Sequence, residues 1–160
     1  MPVNSALHHF ATVLPTPFGA LGIRVDADEV SGIVFLERHV EIPPATPLAR
    51  EAAQQLRAWL DDPEFSFSLP LAPAGTPFQR RVWQRIAATP PGATQSYGEL
   101  ARIVSSSPRA VGGACGANPY PVVVPCHRVI AANGGIGGFA RAHGGFLLDT
   151  KRWLLAHEQR

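Results

Sequence analysis

Ser96-Tyr-Gly-Glu-Leu-Ala-Arg-Ile-Val-Ser-Ser-Ser-Pro-Arg-Ala-Val-Gly-Gly-Ala-Cys-Gly-Ala117 contains two helix-start signals in close succession. Ser96 with Glu99 is a capping-box pattern. The serine hydroxyl takes the N–H of the third helical residue, and the glutamate takes the serine's own N–H. This predicts a short helix through about Val104. Ser107 followed by Pro108 supplies a second cap, with proline at the first helical position, where no N–H is needed. A second helix is predicted from there through Ala117, with Ser105-Ser106 as the turn. Two short helices joined by a tight turn have the layout of a helix-turn-helix.

The second helix lacks the side chains a base-reading helix needs. Major-groove readout uses Arg, Asn, Gln or Lys at several exposed positions. Here the exposed candidates are Arg109, then Ala110, Gly112, Gly113, Ala114 and Gly116. Each interior glycine costs about 1 kcal/mol, so three need a compensating reason. One reason is close approach to a narrow minor groove by a helix stripped of side chains. The other is tight packing of helices against one another. Local sequence leaves both open.

Working outward, Asn118-Pro-Tyr-Pro121 breaks the chain, and Val122-Val-Val124 is expected to be a buried extended segment. It leads into Pro125-Cys126-His127-Arg128. A cysteine beside His and Arg can be a thiolate nucleophile, because nearby cations favour the charged form. By itself a Cys-His pair also fits a buried packing cysteine. Gly134, Gly135, Gly137 and Gly138 mark a loop, and a last amphipathic helix runs from about Phe146 to His157. In the other direction, Thr76-Pro77 caps a helix whose stripe is Phe78, Val82 and Ile86, with Arg80, Arg81 and Arg85 opposite. Leu69-Pro-Leu-Ala-Pro-Ala-Gly-Thr76 reads as a linker. Before it, residues 47–60 form an amphipathic helix on Leu48, Ala52, Leu56 and Trp59, stopped by Pro63. Residues 8–37 alternate like a β-meander, with turns at 15–19 and 26–29. Trp59, Trp83 and Trp153 lie on apolar stripes and are assigned to the core. Cys115 is assigned as a small packing residue.

The charge distribution agrees with a boundary near residue 75. Residues 1–76 hold 4 Arg against 9 acidic residues, a net of −5, and residues 77–160 hold 10 cations against 3 acids, a net of +7. A basic, Arg-biased half points to a phosphate or nucleic-acid partner. With 46% hydrophobic and 16% charged residues the chain can bury a core. No apolar run is long enough to span a bilayer, and no cationic region precedes an apolar one at the N-terminus. The expectation is a cytoplasmic protein with no membrane contact. Two cysteines give no disulfide framework. No Cys/His spacing indicates a zinc site, so no metal is expected.

Pro125-Cys-His-Arg-Val-Ile130 resembles the active-site signature of the O6-alkylguanine-DNA alkyltransferases, the methylated-DNA–protein-cysteine methyltransferase family. The resemblance spans roughly 76–160. It includes Phe78-Gln-Arg-Arg-Val-Trp83, Ser96-Tyr-Gly-Glu-Leu-Ala101, Arg109-Ala-Val-Gly-Gly-Ala114, Asn118-Pro119 and Trp153-Leu-Leu-Ala-His-Glu158, in family order. It implies an α/β (α+β) fold. Residues 1–75 would form a small ribonuclease-H-like supporting domain with an antiparallel sheet. Residues 76–160 would form a mostly helical, winged helix-turn-helix-like domain that binds DNA and accepts the alkyl group. The implied partner of a monomeric chain is double-stranded DNA carrying O6-alkylguanine, gripped through the minor groove and largely without regard to sequence. O4-alkylthymine is a further candidate substrate.

The resemblance assigns roles residue by residue. Cys126 would accept the alkyl group, His127 would take the thiol proton through a water, and Glu158 would orient His127. Asn118 would tie the preceding turn to the cysteine loop. Tyr97 would hydrogen-bond the flipped guanine, and Arg109 would fill the gap left in the stack. Ala110, Gly112, Gly113 and Arg128 would meet DNA, the backbone at Val129 would contact the guanine edge, and Lys151 would lie near the pocket. Phe139 stands where the family usually has Tyr, and the stretch from Phe139 to Trp153 is about five residues longer than the family pattern. His143 is assigned to the loop surface. The product is a thioether, which does not hydrolyse under mild conditions, so the reaction would occur once per chain. The alternative is a module that binds alkylated guanine and recruits other repair without transferring the group.

Overall fold

The computed structural model of the protein describes residues 10–138 and 145–159. Two compact units divide the chain, Met1–Pro73 and Ala74–Arg160.

In the first unit, β1 (Thr12–Thr16), β2 (Gly19–Asp26) and β3 (Glu29–Leu36) form an antiparallel sheet in sequence order, followed by α1 (Pro47–Asp61). Leu14 pairs with Leu21, and Ile23 with Ile33. Alternation predicted one buried face, but Ala20, Leu21, Gly22 and Ile23 are all buried. The second face is covered by Phe10 with Val13, Ala20, Val34, Leu36 and Ile42. Gly22 permits this, since a Cβ there would lie 2.6 Å from the Phe10 ring. The expected linker is also partly structured: Pro70 and Ala72 exchange backbone hydrogen bonds with Val30 at 2.8 Å each. Pro70 can take part because it contributes only its carbonyl. Buried Gln55 on α1 anchors the approach to this segment, accepting from Ser68 N at 2.9 Å.

The second unit opens with α2 (Pro77–Ala87), capped by Thr76 in a full capping box with Gln79. Then come β4 (Gln95–Ser96), α3 (Tyr97–Ile103) and α4 (Pro108–Gly116). Ser96 and Glu99 close the expected capping box, and Ser107 accepts from Ala110 N. A 3-10 turn (Cys126–Arg128) leads into β5 (Val129–Ile130), which pairs parallel to β4. Helix α5 (Gly145–His157) ends the unit. Val82, Trp83, Ile86, Leu100, Val111 and Leu154 are buried core residues. Trp83 Nε1 donates to the Ala114 carbonyl at 2.8 Å, joining α2 to α4. This makes Ala114, expected to be exposed, a core residue at 3% exposure. Trp153 is half-buried and stacks on His157 at 4.8 Å.

Val122-Val-Val124 is not extended. Val124 N donates to Tyr120 O at 2.8 Å, and Val122 has φ +75°. Prolines at 119 and 121 block a regular ladder, and the segment turns on itself. A β-branched residue at positive φ is a real outlier and is held by its surroundings; Val122 is 3% exposed. Pro125 follows with φ −83° and ψ 65°, and Cys126 N donates to Val124 O at 2.8 Å. This is an inverse γ-turn. Two tight turns, and no strand, therefore present the cysteine.

Candidate active site

Cys126 sits at the start of the 3-10 turn and is 4% exposed. Asn118 fixes the approach to it. Its Nδ2 donates to Val124 O at 2.9 Å and to Cys126 Sγ at 3.3 Å, while its Oδ1 accepts from Tyr120 N at 2.9 Å. One amide thus spans both ends of the turn and touches the sulfur.

His127, fully buried, places Nε2 3.0 Å from Glu158 Oε2. Burial pulls the imidazole below its ordinary value, and the hydrogen bond and charge of Glu158 oppose the shift in part. The ring is therefore neutral and able to receive a proton. Burial pushes against ionisation of Glu158, but the hydrogen bonds and charges of His127 and Arg128 outweigh it and hold the carboxyl at about 2. Ionised Glu158 both orients the imidazole and stabilises an imidazolium.

Arg128, expected to meet DNA, is turned inward and is 6% exposed. Its Nε lies 3.0 and 2.9 Å from Glu158 Oε1 and Oε2, its NH2 also donates to Glu158, and its NH1 donates to Thr89 O at 2.6 Å. A guanidinium committed to these partners has little left for a phosphate. Its effect on the site runs through Glu158.

Lys151 is also fully buried. Nζ donates to Val129 O at 2.7 Å and Gly138 O at 2.9 Å and stands 5.8 Å from the Tyr97 ring centroid. Burial lowers it to about 8, against the pull of the Cys115 and Cys126 sulfurs. Tyr97 OH donates to the same Gly138 carbonyl at 3.2 Å. Burial raises the phenol first, and the two cysteines add to it, so Tyr97 remains a proton-bearing donor. Gly137, at φ +70°, brings the backbone beneath the ring; a Cβ there would be 3.1 Å from Tyr97 Cε2. Tyr97, Val129, Gly138 and Lys151 thus converge beside the sulfur. Phe139 and His143 lie outside the described residues.

On α4, Arg109 is exposed at the first turn, and Ala110 is half-buried. A Cβ built on Gly112 or Gly113 meets nothing within 4 Å. Helix packing therefore does not explain these glycines; they leave an open, bare surface.

Cys115 is half-buried near the end of α4, and the neighbouring Cys126 thiol lowers it below an ordinary thiol. The available sequence signal was its spacing one turn before Asn118, the residue expected to reach the cysteine loop.

A buried cysteine next to a neutral histidine that an ionised carboxylate holds, in the same unit as two short capped helices joined by a tight turn, is an arrangement that can support group transfer to a thiol. Residues 77–160 match the family model described as 6-O-methylguanine DNA methyltransferase, DNA binding domain. A methylated-DNA–protein-cysteine methyltransferase of Methanosarcina acetivorans is 35% identical over 157 residues, covering 93% of this chain and 97% of that one. The constitutive methylated-DNA–protein-cysteine methyltransferase of Bacillus subtilis is 36% identical, with coverage of 94% and 96%. Among solved structures, Mycobacterium tuberculosis OGT in complex with DNA superposes with a TM-score of 0.78 at 33% identity, covering 92% of this chain and 91% of that chain. The chain belongs to the methylated-DNA–protein-cysteine methyltransferase family.

Proposed function

We propose that the chain repairs DNA by direct reversal, moving an alkyl group from guanine O6 onto Cys126 Sγ. The observation that carries this reading is the Cys126–His127–Glu158 cluster, with His127 3.0 Å from Glu158, in a chain of this family. His127 takes the thiol proton through a water. The sulfur attacks the alkyl carbon, the C–O6 bond breaks as the S–C bond forms, and guanine leaves as its anion and takes up a proton. Tyr97, Lys151 and the Val129 backbone surround the flipped base. The thioether has no route back to thiol, so each chain acts once and needs no cofactor.

Residues 1–75 support the fold, and residues 76–160 bind DNA. Bare Gly112 and Gly113 suit a helix lying in the minor groove of a duplex, where little sequence is read. Arg109 enters the stack as the base leaves. The protein works as a monomer.

The test is stoichiometric labelling. After incubation with benzylguanine or methylated duplex DNA, peptide mass spectrometry should find one alkyl group, on Cys126, and Cys126→Ala should accept none. Lesion binding with Cys126 left unmodified would sink the transferase reading in favour of a recognition module. Several product equivalents per chain would mark a hydrolase.

A further inference from the structure

Away from Cys126, α2 and the end of α3 enclose a groove of about 540 Å³. Arg81, Gln84 and Arg85 of α2 form one wall, and Ile103, Val104 and Ser105 form the other. Arg81 ties the walls together. Its Nη2 donates to Val104 O at 3.1 Å, and its guanidinium lies 5.7 Å from the Phe78 ring centroid. The Arg85 side chain, by contrast, has no hydrogen-bond or ion-pair partner among the described residues.

Gln84, Arg85 and Ser105 are exposed, and no side chain lining the groove is acidic. Arginine, glutamine and serine all donate hydrogen bonds, so the groove offers donors and positive charge with no carboxylate to neutralise them. Ile103, 44% exposed, adds an apolar edge. A phosphodiester beside a deoxyribose matches both features, with anionic oxygens for the donors and a ring face for the isoleucine.

The position of the groove selects which phosphate it can reach. Helix α3 begins at Tyr97 and ends at Ile103, seven residues, or about 10 Å along its axis. At about 3.4 Å per base pair that is about three base steps. On its other side the groove continues through Ser105 toward Ser107, the cap of α4, with Arg109 exposed in the first turn. The first helix of a helix-turn-helix crosses the DNA backbone.

We propose that this groove seats one backbone phosphate of the damaged duplex, within about three nucleotides of the flipped guanine, with Arg85 as its main charge. The proposal rests on the DNA-repair reading, which places Tyr97 at the flipped base. The contact carries no sequence information. It gives the duplex a fixed point beyond α4, so the backbone is held beside the nucleotide that rotates out.

The test is a methylphosphonate scan. Each phosphate flanking O6-methylguanine is made uncharged in turn, and binding to the full-length chain is read by fluorescence anisotropy. Cys126→Ala is the background, so that no transfer intervenes. One position within about three nucleotides of the lesion should weaken binding about tenfold. Adding Arg85→Gln should cost a similar factor on the ordinary duplex and abolish sensitivity at that position alone. The slope of log affinity against log salt should fall by about one. In the chain with Cys126 intact, Arg85→Gln should label with benzylguanine at the wild-type rate, since that substrate has no phosphate. Unchanged affinity and salt slope in Arg85→Gln would overturn the proposal. So would retained sensitivity at every phosphate, the sign of a diffuse field with no seated phosphate. Slowed benzylguanine labelling in Arg85→Gln would overturn it too, by making the residue a support of the fold. If the wild-type chain takes an alkyl group from neither benzylguanine nor methylated DNA, the repair reading fails, and the scan on Cys126→Ala still decides the groove.

Discussion

Replacing Glu158 with Gln keeps the shape and one acceptor but removes the charge that both His127 and Arg128 face. The carboxyl is held at about 2 against an ordinary 4.5. At about 1.4 kcal/mol per unit that difference comes to about 3.5 kcal/mol, and allowing for solvent screening reduces it to about 2 kcal/mol. Leaving Arg128 buried beside a neutral amide adds to the loss, so Glu158→Gln should destabilise the fold by about 3 kcal/mol at pH 7. The sign with pH follows from the direction of the shift. A depressed carboxyl pKa stabilises the fold above the unfolded value, and the stabilisation fades as pH falls through the folded value. Urea unfolding of the wild type and Glu158→Gln should therefore show the difference in full at pH 7. The difference should shrink as pH falls below 4.5 toward 2. Benzylguanine labelling of Cys126 at pH 7 should also slow by about tenfold or more, because Gln cannot stabilise an imidazolium. A difference under about 1 kcal/mol, or one that does not change below pH 4.5, would refute the electrostatic account.

Other outcomes separate fold from function. Gly113→Ala should raise stability by up to about 1 kcal/mol, since the Cβ meets open space, while weakening binding to duplex DNA in a filter or anisotropy assay. Weaker stability with unchanged DNA affinity would return this glycine to a packing role. Arg109→Ala should slow repair of methylated duplex DNA at least about tenfold more than it slows benzylguanine labelling, because only the duplex leaves a gap to fill. Trp83→Phe should lose about 2 kcal/mol in thermal or urea unfolding, from the missing hydrogen bond to Ala114 and the smaller ring.

The elements governed by adjacent residues were legible in the chain. Caps at Thr76, Ser96 and Ser107 work through atoms three residues apart, so α2, α3 and α4 began where the sequence placed them. The meander likewise followed from short-range alternation and turns. The turn at Val122 was not legible. A valine run favours strand, and only the buried enclosure around it enforces φ +75°. Gln55, Ser68 and the Val30 pairing lie far apart in sequence, which is why a structured segment read as a linker.

At the site, the sequence alone offered Cys126 and His127 as an adjacent pair, and the resemblance to the alkyltransferases supplied the roles expected of Asn118 and Glu158. Direction and company were tertiary matters. Whether Arg128 points to solvent or inward depends on Glu158 and Thr89, 30 and 39 residues away. Whether Gly112 and Gly113 are packed or bare depends on which face of α4 the Trp83 hydrogen bond turns inward. Cys115 became the neighbour of the nucleophile only when two tight turns folded residues 118–126 back against the end of α4. Local chemistry follows from the identity of adjacent residues. The electrostatics of a buried sulfur follow from charges that the chain brings together from distant positions.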